Sequence, residues 1–153
     1  MRLVTGIDGS GNPTAGATLA PGGGSWSTLS DRNMKRDFQD LSPVEVLQKL
    51  AGIPIQTWSY MSQDSSIRHL GPMAQDFHAA FGLGEDERHI STVDADGVAL
   101  AAVQGLYGLL QEQEEQLQEI RAENRRLQEQ QASLEERLAR LESLILKNGS
   151  EGK

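Results

Sequence analysis

From Val98 to about Leu146 the chain has no proline, and its apolar residues recur at alternating spacings of four and three. With Val103 at position a, the a series is Val103, Leu110, Leu117, Asn124, Gln131, Leu138 and Ile145; the d series is Leu106, Gln113, Ile120, Leu127, Leu134 and Leu141. Only a 3.5-residue repeat keeps one stripe facing a partner over so many turns, so the segment predicts a left-handed coiled coil, on the order of 70 Å long at ~1.5 Å per residue. The heptads alone allow two, three or four strands. The polar seam residues Gln113, Asn124 and Gln131 are either tolerated imperfections or layers where a buried amide must meet its match, fixing register and strand number. In parallel pairing Arg137 at g meets Glu142 at e of the next helix. Gly105 and Gly108 fall off the seam and are expected to weaken the helix without interrupting its packing.

The rest of the chain is short. A head of only ~70 residues is marginal as a monomer by surface-to-volume scaling, so oligomerisation is the expected staple. Another staple is excluded, because the 153 residues contain no cysteine for disulfides or cysteine-rich zinc sites. The formal charge of -8, with 22 acidic against 14 basic residues, argues against nucleic acid as a partner, since phosphate neutralisation needs a clustered basic surface. No apolar run approaches the ~20 residues of a membrane span, and the N-terminus lacks the apolar core of a secretory signal. Membrane binding by the long helix is rejected as well, because its non-seam surface is dense in Glu and Gln. A leucine-zipper transcription factor needs a basic segment ahead of the coil, and residues 85–104 contain only Arg88.

Local signals outline the head. In "LSPVEVLQKLAG" Ser42 reads as a cap, Pro43 as the first helical residue and Glu45 as the closing residue of a capping box, with Gly52 as the stop. Residues 53–70 predict a hairpin with a polar turn at Ser62 to Ser66, and Trp58 and Tyr60 on one strand face. "GPMAQDFHAAFGLG" predicts a helix over roughly 72–81 that buries Met73, Phe77 and Phe81. A short strand is expected at "HISTV", and "DADG" is expected to supply capping carboxylates ahead of the long helix. Residues 1–29 are rich in Gly, Ser, Thr, Ala and Pro, and are expected to be the tail of an upstream structure plus a flexible leader. The fold class is therefore α+β: a small head with short helices and a β-hairpin, then a long C-terminal helix forming a parallel coiled coil. The organisation is a leader over 1–29, a head over 30–97, a coil over 98–147 and a disordered tail over 148–153.

The chemistry-bearing stretch is "SWSTLSDRNMKRDF", residues 25–38. Ser30 either caps a helical turn, with Lys35 a solvated charge, or the two form a nucleophile and base. Five residues is a poor helical spacing for contact, so a working pair needs Ser30 in extended or loop conformation and Lys35 folded back on a following turn. A serine hydroxyl is a weak nucleophile until a base removes its proton, and only a neutral lysine can be that base. With an ordinary pKa near ~10.4, roughly one lysine in a few thousand is neutral at pH 7, so burial would have to favour the neutral amine. Asp31 and Asp37, if close in space, would favour the charged amine instead. His69 is either a donor to a developing oxyanion or a structural polar residue, and His78 and His89 have no visible partners in sequence. The three histidines lack zinc-ligand spacing; no metal and no cofactor is expected.

"LSDRNMKRDF" resembles the start of the C-terminal intramolecular chaperone domain of phage tailspikes, tail fibres and endosialidases, also found in the myelin regulatory factor group. "TWSY", "RHLGPMAQDF" and "STVDADGVALAAVQGL" are similar to later segments of that family, in the same order. The resemblance covers about residues 30–110 in sequence. It implies autoproteolysis between Leu29 and Ser30 in a homotrimer, with Ser30 as nucleophile and Lys35 as general base, and a three-stranded coil. It also implies a domain that helps an upstream β-rich fibre or spike of the same polypeptide to register and fold and is then cut away, in a phage tail precursor or bacterial surface fibre assembled in the cytoplasm of the producing cell. Packing three heads together is expected to desolvate Lys35, which would gate cleavage on assembly. The alternative is a non-cleaving structural trimerisation module.

Overall fold

The computed structural model of the chain describes residues 1–150. In order, the elements are β1 (Arg2–Ile7), β2 (Pro13–Leu19), β3 (Trp26–Thr28), a 3-10 turn (Arg32–Met34), α1 (Pro43–Gly52), β4 (Gln56–Trp58), β5 (His69–Gly71), α2 (Ala74–Phe81) and α3 (Thr92–Ser150). This is an α+β head of antiparallel strands and short helices with a long C-terminal helix. The chain divides into two compact units, Met1–Gly105 and the part from Leu106 onward.

Residues 1–29, expected to be the tail of an upstream structure plus a flexible leader, are ordered through most of their length. They form an antiparallel sheet in the order β1-β2-β3. Its larger apolar side chains, Leu3, Val4, Ile7 and Trp26, are left exposed, so backbone pairing and turn chemistry hold it rather than a core. The Asp8 carboxylate in the β1–β2 turn accepts the backbone N–H groups of Ser10 at 2.9 Å and Asn12 at 2.8 Å. The Asn12 backbone bond, above all, holds the Asp8 carboxyl below its ordinary value. Gly16 in β2 sits at φ 139°, where a Cβ would run into the Leu3 carbonyl and lie 3.0 Å from Val4 Cα. Only glycine lets β1 and β2 approach so closely here.

α1 forms as its signals require: Pro43 is at the helix start, and Ser42 Oγ accepts the Glu45 N–H at 3.3 Å. The hairpin pairs Gln56 with Gly71, Thr57 with Leu70 and Trp58 with His69. Its strands are three residues each, with a long connection between them, and Tyr60 lies beyond β4. Arg68 Nη2 clasps the hairpin, donating to the Thr57 carbonyl and to Thr57 Oγ1, both at 2.8 Å. In the connection Asp64 accepts the N–H and Oγ–H of Ser66 at 2.9 and 2.7 Å, and the backbone bond chiefly lowers its pKa.

α2 starts at Ala74, two residues later than Pro72 suggested, and ends on Gly82 in the left-handed region (φ 63°), whose N–H returns to the His78 carbonyl at 2.8 Å. Phe77 is buried, its ring centroid 5.0 Å from that of Phe81, while Met73 and Phe81 are partly exposed.

The expected strand at "HISTV" is absent, because Thr92 and Val93 open α3. The Ser91 carbonyl accepts Asp94 N–H at 3.1 Å and Ala95 N–H at 3.0 Å, so "DADG" lies inside the first turns rather than ahead of them. The Ser-x-x-Asp spacing of a helix start outweighs the β-branched pair here. α3 then contributes Val98, Ala101 and Ala102, which like Phe77 are buried. Gly105 is buried too, and a Cβ there would strike the Pro43 carbonyl and lie 2.7 Å from Pro43 C and 3.0 Å from Val44 N. Gly105 is thus a contact point with the start of α1, not the packing-neutral residue that its off-seam position suggested.

By length and composition the helix over Thr92–Ile145 is apolar enough to cross a membrane, although the sequence showed no run near that length. Val98, Ala101 and Ala102, within it, are buried in the head. From Leu106 onward α3 carries the heptad stripe with no cover: Leu110, Ile120, Leu127, Leu134, Leu141 and Ile145 are all exposed. Of the tail expected at 148–153, residues 148–150 continue α3 and residues 151–153 lie outside the described residues.

Candidate active site

Ser30 follows β3 after one residue, Leu29, and the chain then makes a single 3-10 turn over Arg32–Met34. Asp31 drives that turn, its carboxylate accepting Asn33 N–H at 2.9 Å and Asn33 Nδ2 at 3.1 Å. Such side-chain-to-backbone bonding is the Asx pattern that favours a turn over a strand. The turn closes through the backbone: Met34 N–H reaches the Asp31 carbonyl and Lys35 N–H reaches the Arg32 carbonyl, each at 3.1 Å. Lys35 leaves the turn in extended conformation at φ -120°, and its side chain folds back on Ser30. Lys35 Nζ donates to Ser30 Oγ at 2.7 Å. This is the conformation that a five-residue separation requires of the pair.

Neither neighbouring aspartate occupies the lysine. Asp31 is committed to Asn33, and Asp37 lies 3.3 Å from Arg36 Nε on the surface. Among the described residues Lys35 makes no ion pair within 4.0 Å. Asp37 itself sits at φ 57°, a left-handed conformation that Asp tolerates better than most side chains.

Upstream, the Leu29–Ser30 peptide is anchored by the sheet. Ala17 pairs with Thr28, and Leu29 N–H donates to the Gly16 carbonyl at 3.0 Å. The Leu29 carbonyl accepts no hydrogen bond among the described residues. Ser30 and Lys35 open onto a cleft of about 660 Å³ that they share with Trp26 and Thr28 of β3 and with Thr92, Val93, Asp96, Gly97 and Leu100 of α3. Both members of the pair are exposed in the single chain.

The other candidates are placed elsewhere. His69 packs among aromatic rings, with centroids 4.7 Å from Trp58 and 5.2 Å from Tyr60, and its Nε2 donates to Gln63 Oε1 at 2.8 Å. It does not line the Ser30–Lys35 cleft. His78 and His89 do have partners: His78 Nδ1 donates to the Leu83 carbonyl at 2.9 Å, and His89 Nδ1 meets the Asp86 carboxylate at 3.0 Å. Asp86 is held below its ordinary pKa first by the Arg88 backbone N–H and then by His89. Among the described residues no group of three or more His, Cys, Asp or Glu is arranged to hold a metal ion.

The α3 residues of the cleft carry no signal that sequence could have read, since nothing local tells that Thr92 and Gly97 approach Ser30. Asp31 did carry one, because Asp two residues before Asn is an Asx-turn pattern.

Residues 30–83 match the family described as the chaperone of endosialidase. The matched stretch begins at Ser30 and ends just after α2, within the head unit. It supports a C-terminal intramolecular chaperone domain, associated in that family with an upstream fibre protein. No curated protein and no solved structure matches the chain.

Proposed function

We propose that the chain is an intramolecular chaperone that trimerises through α3, assists folding of the β-rich region upstream of it, and then releases itself by cutting between Leu29 and Ser30. The observation that carries this reading is the 2.7 Å bond between Lys35 Nζ and Ser30 Oγ, formed one residue past the bond to be cut. The start of the family match at Ser30 supports it independently.

The chemistry balances within one chain. Neutral Lys35 takes the proton of Ser30 Oγ as the oxygen attacks the Leu29 carbonyl carbon; the C–N bond breaks, and the proton passes from Lys35 to the departing Ser30 amine. The product is an ester between Leu29 and the Ser30 side chain. Water then adds to that ester, the C–Oγ bond breaks, and Leu29 leaves as a carboxylate while the head begins with Ser30. In the hydrogen bond described here Lys35 Nζ donates to Ser30 Oγ; in the proposed reactive form the same line runs from hydroxyl to amine.

Assembly supplies the missing dryness. The single head has a small core, and the seam of α3 is uncovered. Association of copies along that seam would draw the heads together, bury the open cleft and favour the neutral amine. Cleavage then follows correct association rather than preceding it.

The test is a mass spectrum of the expressed chain beside its Ser30→Ala and Lys35→Ala variants. A fragment beginning at Ser30, produced by the unaltered chain alone, is the expected result; intact chains from all three make the protein a non-cleaving trimerisation module. Hydroxylamine should intercept the ester, leaving a hydroxamate on Leu29.

A further inference from the structure

Leu29 does more than precede the cut. Its side chain is half-exposed and borders an apolar hollow of about 260 Å³ on the upstream sheet, lined among others by Leu3, Val4, Ala15 and Ala17. The hollow exists because of Gly16. Val4 pairs with Gly16 across β1 and β2, and Leu29 is bonded to Gly16 from the far side, so a residue without a side chain stands between two aliphatic ones. A Cβ on Gly16 is excluded on the β1 side by the Leu3 carbonyl. Leu29 is thus laid as a strand extension, with its amide fixed, its side chain on the sheet, and its carbonyl unengaged.

We propose that the upstream sheet is itself half of the cleavage site: it recognises an aliphatic residue at position 29 and positions that residue's carbonyl for Ser30, with Leu29 the specificity-determining residue and Gly16 a positioning residue. This inference rests on the cleavage reading above. Its physical basis is the separate fixation of the two reacting groups. Lys35 and its turn hold the nucleophile, while β2 holds the electrophile by one backbone bond and one side-chain seat, and an attack geometry lost by ~1 Å can cost on the order of a hundredfold in rate. The chain would then cut only when the segment before Ser30 has paired as a strand. The hollow has room for a longer unbranched side chain, and because Arg2 stands on its lining and could meet an acidic group, an uncharged series is the clean test of the aliphatic seat.

The experiment follows cleavage in time, by mass, in cell-free synthesis of the full chain, with Ser30→Ala as the uncut reference. Leu29→Met should cut within about twofold of the unaltered chain. Leu29→Ala should slow roughly tenfold, as expected for lost aliphatic contact in a recognition pocket. Gly16→Val should slow cleavage too, but it can disturb the sheet, so the Leu29 series, which leaves β1 and β2 intact, carries the decision. The pH at which the rate reaches half its plateau should not move in any Leu29 variant, because a misplaced carbonyl changes the rate and not the titration of the base; loss of association would move both. If Leu29→Ala cuts as fast as the unaltered chain, the sheet is no part of the site and the cleavage reading survives alone. If the unaltered chain stays whole, both readings fall together.

Discussion

Gly105 of α3 and Pro43 at the start of α1 meet backbone to backbone, with no room for a methyl group between them. Gly108, one turn on, faces nothing within 4 Å. Two glycines that look alike in sequence should therefore respond oppositely to the same change. Gly105→Ala should destabilise the chain by about 1–3 kcal/mol through overpacking, while Gly108→Ala should stabilise the helix by up to about 1 kcal/mol. Urea unfolding of the two variants checks both signs at once.

The 3-10 turn that returns Lys35 to Ser30 depends on the Asp31 carboxylate. A capping side chain is worth ~1 kcal/mol, so Asp31→Ala should slow self-cleavage roughly fivefold, and Asp31→Asn, which keeps an acceptor, should recover most of the rate. Cleavage kinetics of the two variants decide it; equal rates would mean that the turn forms without its cap.

Acid should loosen specific loops before it unfolds the head. Asp8, Asp64 and Asp86 all have carboxyls held below their ordinary values, chiefly by backbone N–H groups of Asn12, Ser66 and Arg88. A lowered folded pKa means that the stabilisation is complete above the usual carboxylate range and disappears as pH falls through the lowered value. Amide exchange at Ser66 and Arg88 should therefore accelerate only in that acidic window. In Asp64→Asn the Ser66 response should vanish while the Arg88 response stays.

The apolar stripe of α3 should control both association and cutting. Ile120→Asp places a charge in the middle of the seam, where the native side chain now lies exposed. Sedimentation should find a lighter species than the unaltered chain, and the same sample should remain uncut although Ser30 and Lys35 are untouched. A dissociated chain that still yields the Ser30 fragment would remove assembly from the mechanism.

Local chemistry was readable and distant contacts were not. Ser42, Pro43 and Glu45 announced α1 because capping is decided within one turn of chain. The five-residue separation of Ser30 and Lys35 could be read as a demand for an intervening turn, and the turn is present. Around Ser91 the β-branched residues favour a strand, while the helix-start signal that prevails spans only Ser91 to Asp94. Residues 1–29 were undervalued for another reason: their sheet relies on backbone pairing and on the close approach at Gly16, neither of which a count of apolar residues detects. The meeting of Gly105 with Pro43 joins positions far apart in sequence, and no local pattern encodes it.

The strands before Ser30 and the hairpin after it belong to two different sheets, with no ladder running from one to the other. Under the proposed cleavage, severing one covalent link would therefore free the upstream part without peeling a strand from a shared sheet. Each side would keep its own strand pairing, with no new sheet edge exposed by the parting.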